Sequence, residues 1–174
     1  MYAKDNVYAK HRMVFPGTFD PFTLGHLSIV QRAAPLCDQL LIVVFDNSQK
    51  KPLMTRQART DLIRRAVDQM PAVHVMEYDG LLVDFCRQYR IDAIVRGVRS
   101  FIQFEEEQTM AEINWKIGGG TDTVFLPARS ELRHISSSMV REIARLGGDI
   151  KDFVPDMIEA DILAHYAGVD RGGI

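Results

Sequence analysis

The sequence predicts a doubly wound α/β fold, a single domain built on a five-stranded parallel sheet. Five short apolar segments rich in β-branched residues alternate with helical patterns along 174 residues, the order expected when each strand leads into a crossover helix. One segment, Leu40-Leu41-Ile42-Val43-Val44-Phe45, is apolar throughout, which fits a strand buried on both faces of a parallel sheet. No internal repeat or long linker divides the chain, so its length corresponds to one domain.

The elements follow in order. A strand over residues 13–15 runs into Pro16-Gly17-Thr18-Phe19-Asp20-Pro21-Phe22-Thr23-Leu24-Gly25-His26, a turn that gives way to an amphipathic helix at Gly25-His26. Leu27, Val30, Ala33 and Ala34 mark its apolar side, and it fades over 35–38. After the second strand, Thr55 reads as the N-cap of a helix reaching about residue 70. Ala58, Leu62, Ala66 and Gln69 lie on its inner face, Ile63 beside them, and Pro71 stops it. A third strand spans 73–77. A helix follows from Gly80 to about residue 89, then a fourth strand over 92–95, directly followed by Arg96-Gly97-Val98-Arg99. Helix 101–116 offers Phe101, Phe104, Met110, Ala111 and Trp115 as core candidates and ends at Gly118-Gly119-Gly120. A fifth strand over 123–126 precedes a helix begun by Ile135-Ser136-Ser137-Ser138 and closed by Gly147-Gly148. A last helix runs from about 155 to 166. Residues 1–12 read as a polar extension, 13–166 as the domain and 167–174 as a frayed tail.

At 47% hydrophobic and 25% charged residues the composition is that of a globular protein. The net charge of −2 and a pI near 6.2 give no basis for nucleic acid or an anionic membrane as partner. Cys37 and Cys86 form no C-x-x-C pair and read as buried thiols. No basic leader runs into an apolar stretch, and no apolar run approaches membrane length, so a cytoplasmic protein is expected.

The unusual polar residues fall after the strands: Thr18 and His26 after the first, Lys50 after the second, Arg96 and Arg99 after the fourth. Arg129, Arg133, His134 and the three serines follow the fifth. In a parallel sheet these loops share one edge, where ligands bind at the reversal of strand order. A net-negative chain thus collects cations and helix N-termini around one crevice, which suits phosphates. The sequence contains no G-x-G-x-x-G, no Walker-type loop, no G-x-S-x-G elbow and no zinc-ligand spacing.

Thr23-Leu24-Gly25-His26 matches the [TH]-x-G-H signature of the nucleotidyltransferase superfamily. The extended run from Pro16 to His26 resembles bacterial phosphopantetheine adenylyltransferases. Lys50-Lys51-Pro52, Arg96-Gly97-Val98-Arg99 and Ile135-Ser136-Ser137-Ser138-Met139-Val140-Arg141 agree in order and spacing. The resemblance covers about residues 13–153. It implies a Rossmann-like domain that transfers the AMP portion of ATP to 4′-phosphopantetheine, giving dephospho-coenzyme A and pyrophosphate by direct in-line attack on the α-phosphorus. Mg²⁺ would accompany ATP, the assembly would be a homohexamer, and coenzyme A would be a feedback ligand.

The same resemblance implies roles. His26 would stabilise the transition state, Thr18 orient the phosphates, and Lys50 and Arg96 neutralise the reacting groups. Phe19, Gly97, Val98, Arg99 and Glu107 would contact ATP, together with Leu132, Arg133, His134, Ile135, Ser136, Ser137 and Ser138. Leu82 would meet the pantetheine arm, beside Thr18, Lys50 and Arg96. No protein ligand to a metal is expected. Leu132 and Glu106 depart from the family pattern, which commonly has an aromatic and a tyrosine there. The residues alone also permit plainer readings: a capping His26, Arg96 and Arg99 paired with Glu105 or Glu106, and serines that only cap a helix. The competing functions are another small-molecule nucleotidyltransferase of this fold, using nicotinamide mononucleotide or a cytidylyl donor, a non-catalytic nucleotide or coenzyme A binder, and an RNA-binding fragment.

Overall fold

The computed structural model describes residues 11–46 and 52–166. Its sheet has the strand order β3-β2-β1-β4-β5, and every neighbouring pair is parallel. The strands are β1 (Arg12–Gly17), β2 (Gln39–Val44), β3 (Val73–Glu77), β4 (Ala93–Val98) and β5 (Asp122–Pro127). The helices are α1 (Leu24–Ala33), α2 (Arg56–Ala66), α3 (Leu82–Tyr89), α4 (Phe101–Gly118), α5 (Ser137–Arg145) and α6 (Asp156–Tyr166). Hydroxyl caps set several helix starts: Thr55 accepts from the Ala58 N–H, Ser100 from Gln103 and Ser136 from Met139, each satisfying a donor the helix cannot.

Alternation along β1 and β2 divides the core. Met13, Phe15, Leu40, Ile42 and Val44 pack with α1, α2, α5 and α6 on one face. Val14, Leu41 and Val43 pack with Phe85, Cys86 and Ile91 on the other, where α3 lies. Strand order reverses at β1, which pairs with β2 along its whole length but with β4 only at Met13↔Ala93 and Val14↔Ile94. Beyond that point Pro16 has no N–H to donate. Its carbonyl instead accepts from Arg96 Nη1 at 2.8 Å. The sheet therefore splits between β1 and β4 at its carboxyl edge.

Several sequence expectations are corrected. Arg96, Gly97 and Val98 lie inside β4, paired with Phe125, Leu126 and Pro127, rather than in a loop after it. Arg12, expected in the extension, opens β1 and donates to Gln39 and Tyr89. Helix α2 ends at Ala66, so Gln69 is exposed, and its buried face includes Arg59 and Thr60. Helix α1 begins at Leu24, one turn before the apolar pattern becomes clear, because Thr23 caps it. Of α4 only Gly118 is buried: Phe101 is 73% and Trp115 55% exposed, although Phe104 meets Phe125 edge to face. Cys86 is buried, whereas Cys37 is half-buried. No helix among the described residues is long and apolar enough to cross a membrane. The polar extension (apart from His11 and Arg12), the expected tail and Lys50 lie outside the described residues.

Candidate active site

The split between β1 and β4 opens into a cavity of about 440 Å³, within the range of small-molecule sites. Its wall carries Thr18, Phe19, His26, Arg96, Gly97 and Arg99, and farther round Glu107, Leu132, Ile135 and the three serines Ser136, Ser137 and Ser138. Two glycines allow this closeness. A Cβ on Gly17 would come within 2.6 Å of the Phe19 ring, and one on Gly97 within 2.9 Å of Ile29. The second absence brings α1, which bears His26, down onto β4, which bears Arg96.

On the β1–α1 side the backbone bends sharply, with Phe19 at φ 51°. Thr23 and His26 then form a reciprocal cap. The Thr23 hydroxyl accepts from the His26 N–H at 3.4 Å, and His26 Nδ1 accepts from the Thr23 N–H at 3.1 Å. An Nδ1 that accepts leaves the ring proton on Nε2. The ring is packed among Phe15, Phe19 and Phe22. Burial, and then the charges of Arg99 and Arg96, push its pKa down to about 3. His26 is therefore a neutral N–H donor with a fixed tautomer, and a poor proton acceptor at neutral pH.

The opposite side is charged. Arg96 donates from Nε and Nη2 to Glu107 at 2.6 and 2.5 Å, a bidentate pair formed with Glu107 rather than Glu105 or Glu106. Arg99 donates to the Ile135 carbonyl at 2.8 Å and to Gln103, which ties β4 to the approach of α5. At the α5 start, Ser136 caps the helix, and Ser137 donates to the Pro21 carbonyl at 2.8 Å. The α5 N-terminus, with its unpaired N–H groups, thus faces the same cavity as the α1 N-terminus, two helix ends suited to anions.

Two buried polar groups support these walls. Asp20, 1% exposed, accepts from the Leu53 and Met54 N–H groups and from the Tyr166 hydroxyl at 2.9, 3.3 and 2.9 Å. Arg141 also reaches it at 3.4 Å and donates to its carbonyl at 2.7 Å. Burial first, then the Asp20 charge, raise the Tyr166 pKa far above the usual tyrosine value, so the hydroxyl stays a donor. Arg59, also 1% exposed, donates to the carbonyls of Thr18, Phe45 and Met54 and pairs with Asp46.

Most of the expected site residues converge on this cavity, but not all. Val98 is taken up in the β4–β5 ladder. Arg133 is exposed and donates to the Arg99 carbonyl, and His134 is exposed with its ring near Phe153. Leu82 opens α3 and packs with the core on the other sheet face. None of these four lines the cavity. Phe19 does, but its ring is committed to Phe15, Phe22 and His26. Asp20, Gln103 and Arg141 line it without having been assigned a role from the sequence. Arg59 was missed too, although its spacing from Leu62, Ile63 and Ala66 puts a cation in an apolar stripe.

Comparison with known proteins now bears on this geometry. Residues 14–143 match the model of the cytidylyltransferase-like family. The phosphopantetheine adenylyltransferase of Heliobacterium modesticaldum is 42% identical over 159 residues, covering 91% of this chain and 95% of that protein. That of Lachnoclostridium phytofermentans is 43% identical over 155 residues, covering 89% and 95%. Among solved structures, a candidate nicotinate-nucleotide adenylyltransferase of Vibrio parahaemolyticus superposes with a TM-score of 0.65. It is 17% identical and covers 89% of this chain and 99% of that one, a likeness of fold.

Proposed function

The chain belongs to the phosphopantetheine adenylyltransferase family of cytidylyltransferase-like proteins, and from that premise we propose that it adenylylates 4′-phosphopantetheine with ATP, yielding dephospho-coenzyme A and pyrophosphate. The observation that carries this proposal is the meeting of His26, Arg96, Arg99 and the α5 N-terminus around one cavity at the strand-order reversal.

A phosphate oxygen of 4′-phosphopantetheine attacks the α-phosphorus of ATP. The bond from that phosphorus to the oxygen bridging to the β-phosphate breaks, and pyrophosphate leaves with the electron pair. The attacking group is already an anion, so no general base is needed, in keeping with a histidine whose pKa is near 3. The protein's task is to hold two repelling anions in line and to stabilise the charge that develops. The Nε2–H of His26 is the donor to the α-phosphate, Thr18 orients the phosphates, and Arg96 offsets their charge. Ser137, Ser138 and the α5 N–H groups suit the β- and γ-phosphates. Lys50 belongs to the same reading by its place in the motif.

Mg²⁺ is proposed to arrive with ATP and to neutralise charge on the triphosphate. The carboxylates on the cavity wall are engaged, Asp20 by backbone, Tyr166 and Arg141 donors and Glu107 by Arg96. That donor set fits an ion held by phosphate oxygens and water. The exposed apolar side chains of α4 support association with further copies of the chain, which the proposal takes to be a homohexamer: Phe101, Ile102, Met110, Ile113, Trp115 and Ile117 all face solvent in one chain. A cytoplasmic setting and feedback by coenzyme A, which shares the pantetheine arm with the substrate, complete the proposal.

The test is incubation with ATP and 4′-phosphopantetheine, following dephospho-coenzyme A by chromatography and pyrophosphate by a coupled assay. Both should appear in equal amounts. No product here, together with adenylylation of nicotinamide mononucleotide or use of CTP, would overturn the assignment in favour of another member of the fold.

A further inference from the structure

We propose that Arg59 is a positioning residue for adenylyl transfer and that it acts through the backbone of Thr18. The proposal rests on Thr18 orienting phosphates in the reaction above. Arg59 lies on α2, is 1% exposed and does not line the cavity. Its Nη1 donates to the Thr18 carbonyl at 2.5 Å and to the Phe45 carbonyl at 3.3 Å, and its Nε donates to the Met54 carbonyl at 3.2 Å. Its Nη2 pairs with the Asp46 carboxylate, which also holds Arg56. One guanidinium thus fixes the turn after β1 to the end of β2 and to the residues leading into α2.

Packing alone does not require a cation there. Leu62, Ile63 and Ala66 supply the apolar face of α2, and a methionine would fill the space without the desolvation cost of a buried charge. What the arginine supplies is a planar fork with several donors in fixed directions, which lysine cannot reproduce. The turn it holds has need of this. Phe19 is in the left-handed region there, and β1–β4 pairing has already ended at Val14. The fork holds the turn from the β2–α2 side, just past Gly17 where β1–β2 pairing ends, and sets where Thr18 stands relative to the cavity.

The experiment is a double-mutant cycle on kcat between Arg59→Lys and Thr18→Ala, with pyrophosphate release as readout. Arg59→Lys should lower kcat about 10- to 100-fold, as misplacement by an ångström does, with KM for ATP within a few-fold of wild type. The double variant should be no slower than Thr18→Ala alone, because the group that Arg59 positions has gone. Unchanged kcat in Arg59→Lys, or losses that multiply in the double variant, overturns the proposal and leaves a structural role. If Arg59→Lys does not fold, Asp46→Asn loosens the other end of the fork and enters the same cycle, with the same two outcomes. A wild-type protein that makes no dephospho-coenzyme A overturns the functional reading and this proposal together, whereas additivity in an active enzyme overturns this proposal alone.

Discussion

The two walls of the cavity solve different problems. The β1–α1 wall offers the cavity an uncharged donor and is anchored from behind: His26 is neutral, and Thr18 and the Asp20 carboxylate are held by Arg59, Tyr166 and the Leu53 and Met54 amides. The wall formed by β4, α4 and the α5 approach presents charge, with Arg96 and Arg99 held by Glu107, Gln103 and the Ile135 carbonyl. A neutral donor aimed at one atom favours the transition state, whereas cations attract every phosphate, in ground and transition state alike. The contrast teaches that geometry on the first wall should govern kcat, while charge on the second should weigh on substrate binding as well.

Four measurements put this contrast to the test. His26→Ala should have the largest effect, lowering kcat on the order of 10²–10³-fold while calorimetry finds ATP affinity changed only a few-fold. A similar loss of ATP affinity would erase the distinction between the walls. Arg96→Lys removes the bidentate bond to Glu107 and should cost about tenfold or more in kcat/KM, with KM for a phosphorylated substrate rising. Tyr166→Phe leaves the buried Asp20 carboxylate short of one donor and should destabilise the fold by about 1–3 kcal/mol. A thermal melt reads this, and an unshifted Tm would show that the anchor behind the first wall is dispensable.

The smallest effect at neutral pH concerns His26 titration. The ring stays neutral in the fold down to about pH 3 but takes a proton below its ordinary 6.5 in the unfolded chain. The unfolded state binds more protons in that window, so stability should fall as pH drops from about 6.5 toward 3. Denaturant melts of His26→Gln should show a flatter dependence there. An imidazole resonance of His26 that titrates between pH 5 and 8 would contradict a neutral donor on the first wall.

The two walls were unequally legible in the sequence. The first was read almost whole, because a Pro-Gly turn leading to a helix start carries its chemistry in consecutive residues. Even so, the supports behind it went unseen. Tyr166 and Arg59 are far from Asp20 and Thr18 along the chain, and only folding brings them together. On the second wall, the apolar pattern ends at residue 95, where Arg96 and Gly97 interrupt it. The ladder continues to Val98, since backbone pairing with β5 does not depend on side-chain polarity. The misplacement of α4 in the core has a related cause. Phe101, Met110 and Trp115 are apolar, and a pattern of apolar residues says that a face will be covered, not what covers it. The fold class survived these errors because β1 and β2, the most buried strands, are the ones whose composition is least ambiguous.

Pro16 gives the opening an unusual permanence. A crevice kept apart by bulky side chains could be closed by trimming them. This one is kept apart by an atom that is not there: an imino acid stands where a central strand would offer its hydrogen, so β1 and β4 cannot zip past it whatever side chains surround them. Arg96 takes the carbonyl that is left over, so a residue that lines the cavity also closes the backbone's account at the seam. Any change to that arginine is felt by the sheet as well as by the cavity it lines.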